Sequence, residues 1–104
     1  MGFDFSSVMK AMIFAAEGAF AQEWPQVKDV VGRVLADQKE DLELIASAYA
    51  NGLITAGEFK EHLEGERDVF EAGVSMCRAN SEGTVRRGAD AALGVFAAAV
   101  KAGV

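Results

Sequence analysis

A chain of 104 residues with 51% apolar residues, a single proline and scattered β-branched residues fits one all-α domain spanning 1–104, near the size at which partners help to bury surface. The formal charge of −6 is uneven: residues 37–71 carry ten acids against Lys39, Lys60 and Arg67, while 72–104 are net +2, so the acidic middle repels phosphate backbones and argues against nucleic acid as a partner. No stretch reaches the roughly 18 apolar residues of a membrane span, and the lone Cys77 cannot form an intrachain disulfide, which suits a reducing, cytoplasmic setting.

The first helix is expected to start at a cap formed by Asp4 or Ser6 and to run to about Glu23. Phe5, Met9, Met12/Ile13, Ala16 and Phe20 make one apolar stripe, and Val8, Phe14, Ala15 and Ala19 widen it beyond one face. So little polar circumference implies a helix that is central in the fold or shared with another subunit. Gly18 costs helix stability relative to alanine, and so reads as a close crossing with another backbone. Ala19-Phe20-Ala21 has the form of a signal-peptidase site, but Asp4 and Glu17 precede it with only Lys10 for positive charge, so a helix of the folded chain is the better reading.

Trp24-Pro25 predicts a break or sharp kink at Trp24, because proline disfavours helical geometry in the residue before it and suits the first turn of a new helix. The second helix is expected over 25–50, with Val27, Val31, Val34/Leu35, Leu42, Ile45 and Tyr49 facing inward and Gln38 interrupting that stripe.

Asn51-Gly52 then reads as a left-handed helix stop, and Thr55 with Glu58 three positions on as a capping box opening the next helix, with Leu53 and Ile54 plugging the open end of a hairpin. The third helix is expected over 56–79, with Phe59, Leu63, Phe70, Val74 and Cys77 inward. Helices of that length reach about 35 Å, so the second and third make a long antiparallel hairpin. Asn80 to Thr84 predicts a break, with Ser81 or Thr84 as the cap of a last helix over 84–102 whose stripe is Val85, Ala89, Ala92/Leu93, Phe96 and Ala99/Val100. Its other faces are small, including Gly88 and Gly94, and would let another helix come close.

Around the joint, Gly52, Ile54, Glu58 and Phe59 resemble the second half of an EF-hand calcium loop. Ser47 and Tyr49 stand where that resemblance requires acidic ligands, and calcium needs six to eight oxygens, mostly anionic. Gly52, Ile54, Thr55, Glu58 and Phe59 are also similar to the Gly-x-Ile-Thr-x-x-Glu-Phe hairpins of short bacterial helical domains of the SHOCT type. Helix-cap chemistry by itself produces both likenesses.

Two chemical constellations merit weighing. Glu58, His62 and Glu66, four apart on one side of the third helix, with Glu43 across the hairpin, are the raw material of a di-iron or other transition-metal site between hairpins, in the manner of a ferritin-like oxidase. The Glu-x-x-His spacing of such sites is missing, because Phe59 holds the position that needs the acid. A solvated acidic face with His62 in i,i+4 pairing is the plainer reading. Cys77 and His62 lie about 22 Å apart along one helix and cannot act as nucleophile and base within a hairpin.

The expected architecture is therefore a bundle-like fold of four helical segments on a long antiparallel hairpin, completed by self-association. The expected function is that of a small non-enzymatic protein, a homodimer or a binder of a protein partner, requiring no cofactor. Its contacts would come from the apolar first helix through Phe3, Phe5, Met9, Met12, Phe14, Phe20 and Trp24, together with the small-residue last helix.

Overall fold

The computed structural model describes residues 4–75 and 82–102, and the described residues are helical with no strand. They form α1 (Phe5–Phe20), a 3-10 turn (Ala21–Glu23), α2 (Trp24–Ala50), α3 (Ala56–Val74) and α4 (Glu82–Lys101). The helices run alternately up and down. α1 packs most closely along α4, α2 along α3, and α3 and α1 complete the circuit against α4 and α2.

Asp4, rather than Ser6, caps α1: its carboxylate accepts from the Ser7 hydroxyl at 2.8 Å and the Ser7 N–H at 3.4 Å. These bonds hold the Asp4 carboxyl below its ordinary pKa, the side-chain bond contributing most. The break after α1 falls three residues earlier than predicted. Ala21 takes a positive φ of 53° and Trp24 is itself helical, with Pro25 in the first turn of α2, where no N–H is required of it. The chain reverses through the strained alanine, so the Trp24-Pro25 pair marks the start of a helix and not the bend.

α2 buries Val27, Val31, Leu35, Gln38, Leu42 and Ile45, the stripe read from the sequence, together with Ala46. Its end is a Schellman motif: Leu53 N–H donates to the Ala48 carbonyl at 2.8 Å and Gly52 N–H to the Tyr49 carbonyl at 3.1 Å. Of the Asn51-Gly52 pair, Gly52 takes the left-handed conformation, at φ 71°, and Asn51 does not. Ile54 is half-buried under the hairpin end, whereas Leu53 is exposed and plugs nothing. The capping box of α3 is complete, with Glu58 N–H donating to Thr55 Oγ1 at 3.1 Å and Thr55 N–H to Glu58 Oε1 at 2.8 Å. α3 stops at Val74, five residues before the predicted end, and α4 starts at Glu82, so Thr84 is a buried residue of its first turn and not its cap. Met76, Cys77, Asn80 and Ser81 lie outside the described residues.

The core has two well-defined ends. At the joint, Phe5 of α1 meets Phe96 of α4 edge-on at 6.2 Å, Phe96 stacks on Phe59 of α3 at 6.4 Å, and Phe59 stacks on Tyr49 of α2 at 4.6 Å, so one line of rings ties all four helices. At the other end, close approach depends on glycine. A Cβ on Gly88 would lie 2.3 Å from Phe20 Cε2, and one on Gly73 would lie 2.7 Å from Val34 Cγ2. Gly18, read from the sequence as a crossing point, meets nothing within 4 Å, so the close contacts of α1 are set by α4's glycine and not by its own.

Candidate functional site

Glu58, His62, Glu66 and Glu43 do not come together. Glu58 spends its carboxylate on the capping box, and His62 is exposed. Glu43 is exposed beside a shallow hollow it shares with Glu40, Leu44 and Ser47. Among the described residues, no three His, Cys, Asp or Glu side chains gather closely enough to hold a metal ion.

Glu66 takes part in a different arrangement. It occupies the place between Leu63 and Phe70 where the α3 stripe would continue, and it meets Gln38, the interruption in the α2 stripe. Gln38 Nε2 donates to the Glu66 carbonyl at 2.8 Å and to Glu66 Oε1 at 2.9 Å. Gln38 is 3% exposed, and no donor among the described residues reaches its Oε1. The hairpin register thus sets Glu66 against Gln38, one turn from the expected Asp41 or Leu42. Burial pushes the Glu66 carboxyl above its ordinary value and the Asp41 charge adds to this, while the Gln38 bond and His62 act the other way. A signal for this pair existed in the sequence: two apolar stripes each broken by one polar residue at facing positions.

Arg67 of α3 and Arg87 of α4 are also engaged. Arg67 lies 3.5 Å from Asp90 and 3.7 Å from Glu71, the second an ion-pair distance too long for a hydrogen bond. Asp90 is therefore balanced from α3, and Arg87, which the sequence sets beside it, donates instead to Thr84 Oγ1 at 3.2 Å. Between these helices a shallow hollow is floored by Leu63, Leu93 and Ala97 and rimmed by Lys60, Glu64 and the Arg67–Asp90 pair.

The residues expected to contact a partner divide into three groups. Phe5, Met12 and Phe20 are buried within the chain, mainly against α4, so the apolar excess of α1 is largely consumed inside the bundle. Met9 and Trp24 are half-buried at the edge of that core, Trp24 with its ring 6.3 Å from that of Phe20. Phe14 is 76% exposed, at the centre of the outer face. Phe3 lies outside the described residues. The small residues of α4 are used in the same way: Gly88, Ala89 and Ala92 are buried, and Gly88 receives Phe20 of α1.

The outer face of α1 carries Ser7, Ala11, Phe14 and Gly18 in line, all exposed and uncharged, with exposed Lys10 and Glu17 along one flank. The spacing of four, three and four places the uncharged residues in one narrow seam. The broad inward stripe hides this second pattern in the sequence. Among the described residues, no helix is long and apolar enough to cross a membrane.

The class of protein defined by these features is an all-α, bundle-like fold built on an antiparallel hairpin. Compared with known protein families, with curated protein sequences and with solved structures, the chain matches none.

Proposed function

We propose that this chain is a small non-enzymatic interaction protein that self-associates, or holds a protein partner, through the outer face of α1. The observation that carries the reading is Phe14, 76% exposed amid three uncharged seam neighbours. A solitary exposed apolar side chain is ordinary in a folded protein. A phenylalanine at the centre of an uncharged helical seam is different, because small flanking residues let another helix approach closely enough to cover the ring. A cytoplasmic setting belongs to the same proposal and rests on the lone cysteine.

Sedimentation velocity from 1 to several hundred micromolar tests self-association. The expected result is a concentration-dependent rise in mass above the 11.0 kDa of the chain. A constant monomer mass across that range would remove the self-association branch.

A further inference from the structure

We infer that the occupant of the α1 outer face is a second copy of this chain, with the two α1 helices antiparallel about a twofold axis at Phe14. The inference rests on the self-association reading above and adds the face, the direction and the register.

The seam Ser7, Ala11, Phe14 and Gly18 covers 12 residues, about 17 Å of helix. Its one large side chain, Phe14, has Ala11 and Gly18 three and four residues to either side. In an antiparallel pair centred there, Phe14 meets Phe14 of the partner subunit, and Ala11 faces Gly18 of the partner subunit. Gly18 has open space around it, since a Cβ there would meet nothing within 4 Å in its own chain. The hollow it leaves beside Phe14 is what a ring from a partner helix requires.

Charge selects the direction. Lys10 and Glu17, both exposed, lie on the same flank of the seam, seven residues and two turns apart, almost equidistant from Phe14. A twofold axis perpendicular to antiparallel helices keeps each flank on its own side and reverses the helix direction. Lys10 is then brought to Glu17 of the partner subunit, and Glu17 to Lys10 of the partner subunit. Parallel helices would instead turn that flank toward Val8 and Ala15, which offer no charge. An isologous contact uses each complementary pair twice, which suits closure as a dimer. So short a seam makes a contact smaller than a standard stable interface, consistent with assembly in the micromolar range.

The test is sedimentation equilibrium on the full chain and four variants, with circular dichroism and thermal melting as controls for folding. Phe14, Lys10 and Glu17 are exposed, so their replacement leaves the core untouched. Phe14→Ala is expected to abolish the dimer, with helicity and melting unchanged. Lys10→Glu and Glu17→Lys are each expected to weaken it about tenfold, because symmetry makes every substitution act at two contacts. The double variant Lys10→Glu, Glu17→Lys is expected to return to within about twofold of the parent, since reversing both charges restores the same pairs. A dimer indifferent to Phe14→Ala and to the charge reversals would overturn the α1 seam while leaving self-association standing. Loss of the dimer in Phe14→Ala without rescue by the double variant would overturn the antiparallel register. A parent chain that is monomeric throughout would remove both this inference and the self-association reading beneath it.

Discussion

Gln38 Nε2 donates to both the backbone carbonyl and the carboxylate of Glu66, across two helices whose inward stripes are otherwise apolar. The pair fixes the register of the hairpin, because a slide by one turn would leave the amide facing hydrocarbon. It is also incomplete, since Gln38 Oε1 is buried with no donor among the described residues.

That incompleteness predicts the behaviour of Glu66→Gln. A glutamine can accept from Gln38 Nε2 and donate to Gln38 Oε1, giving the buried oxygen a partner and removing a charge that burial and Asp41 disfavour. Stability at pH 7 should rise by about 1 kcal/mol, the net value of one satisfied hydrogen bond. The pH dependence follows from the direction of the shift. Because the folded carboxyl sits above its reference value of 4.5, proton binding favours the folded state. That stabilisation is fully present below the unfolded value and is lost as pH rises through the folded one. The advantage of the variant over the parent should therefore shrink on acidification toward pH 4, and urea melts at several pH values would reveal it. A variant less stable than the parent at pH 7 would mean that the carboxylate form is the one the fold prefers.

Gly88 and Gly73 both admit a neighbour where a Cβ would stand, yet their alanine variants should differ. The Gly88 Cβ would fall 2.3 Å and 2.7 Å from two ring atoms of Phe20, a side chain packed into the core and unable to retreat. Overpacking of this kind costs about 1–3 kcal/mol, only partly offset by the roughly 1 kcal/mol by which alanine exceeds glycine in helix propensity. At Gly73 the nearest atom is 2.7 Å away, but it is a methyl of Val34, a smaller side chain than Phe20 and only half-buried, so a small shift toward solvent relieves the contact. Gly73→Ala should thus be close to neutral and Gly88→Ala destabilising in denaturant melts. Equal losses at the two sites would show that Val34 is held as firmly as Phe20.

What the sequence reveals and conceals follows the range of each interaction. The capping box at Thr55 and Glu58, the stop at Gly52 and the inward stripe of α2 depend on residues a few positions apart, and all are readable from spacing. The bend at Ala21 is not, because nothing in its side chain announces a positive φ, while the neighbouring Trp24-Pro25 pair gives a louder signal for the wrong residue. The inward face of α1 is legible as apolar, but its destination is not. Phe5 and Phe20 find α4 more than 60 residues away, at Phe96 and Gly88, and only that pairing shows how much of the stripe is left over. The Glu58, His62 and Glu66 triad shows a related limit. Correct helical spacing places the three on one side of a helix, while within the chain Glu58 bonds Thr55, Glu66 bonds Gln38 and His62 is exposed.

Thr55→Ala tests the joint directly. It removes the hydroxyl that accepts from Glu58 N–H and leaves the returning carboxylate bond with half of its box. A loss of about 1 kcal/mol is expected, typical of a lost N-cap. Calcium should leave the melting temperature of the parent chain unchanged, since Glu58 serves as a cap and Ser47 is bonded to Asn51. A calcium-dependent rise that disappears in Glu58→Gln would restore the calcium-loop reading.

Ala21→Gly should make the protein more stable, an unusual result for a substitution to glycine. Ala21 lies at φ 53°, ψ −116°, where a Cβ crowds the backbone, and its N–H still closes α1 by donating to the Glu17 carbonyl. Strain of this kind is worth about 1–3 kcal/mol, and glycine removes it while making the same backbone bond. Glycine also loosens the unfolded chain by up to about 1 kcal/mol, so the net gain should be about 1 kcal/mol, read as a higher denaturation midpoint at unchanged slope. Valine at the same position should do the opposite, because β-branching tightens the restriction that alanine already feels. If glycine and valine both destabilise, the turn between α1 and α2 does not hold its strain at residue 21, and the reversal must be set by Trp24 and Pro25 after all.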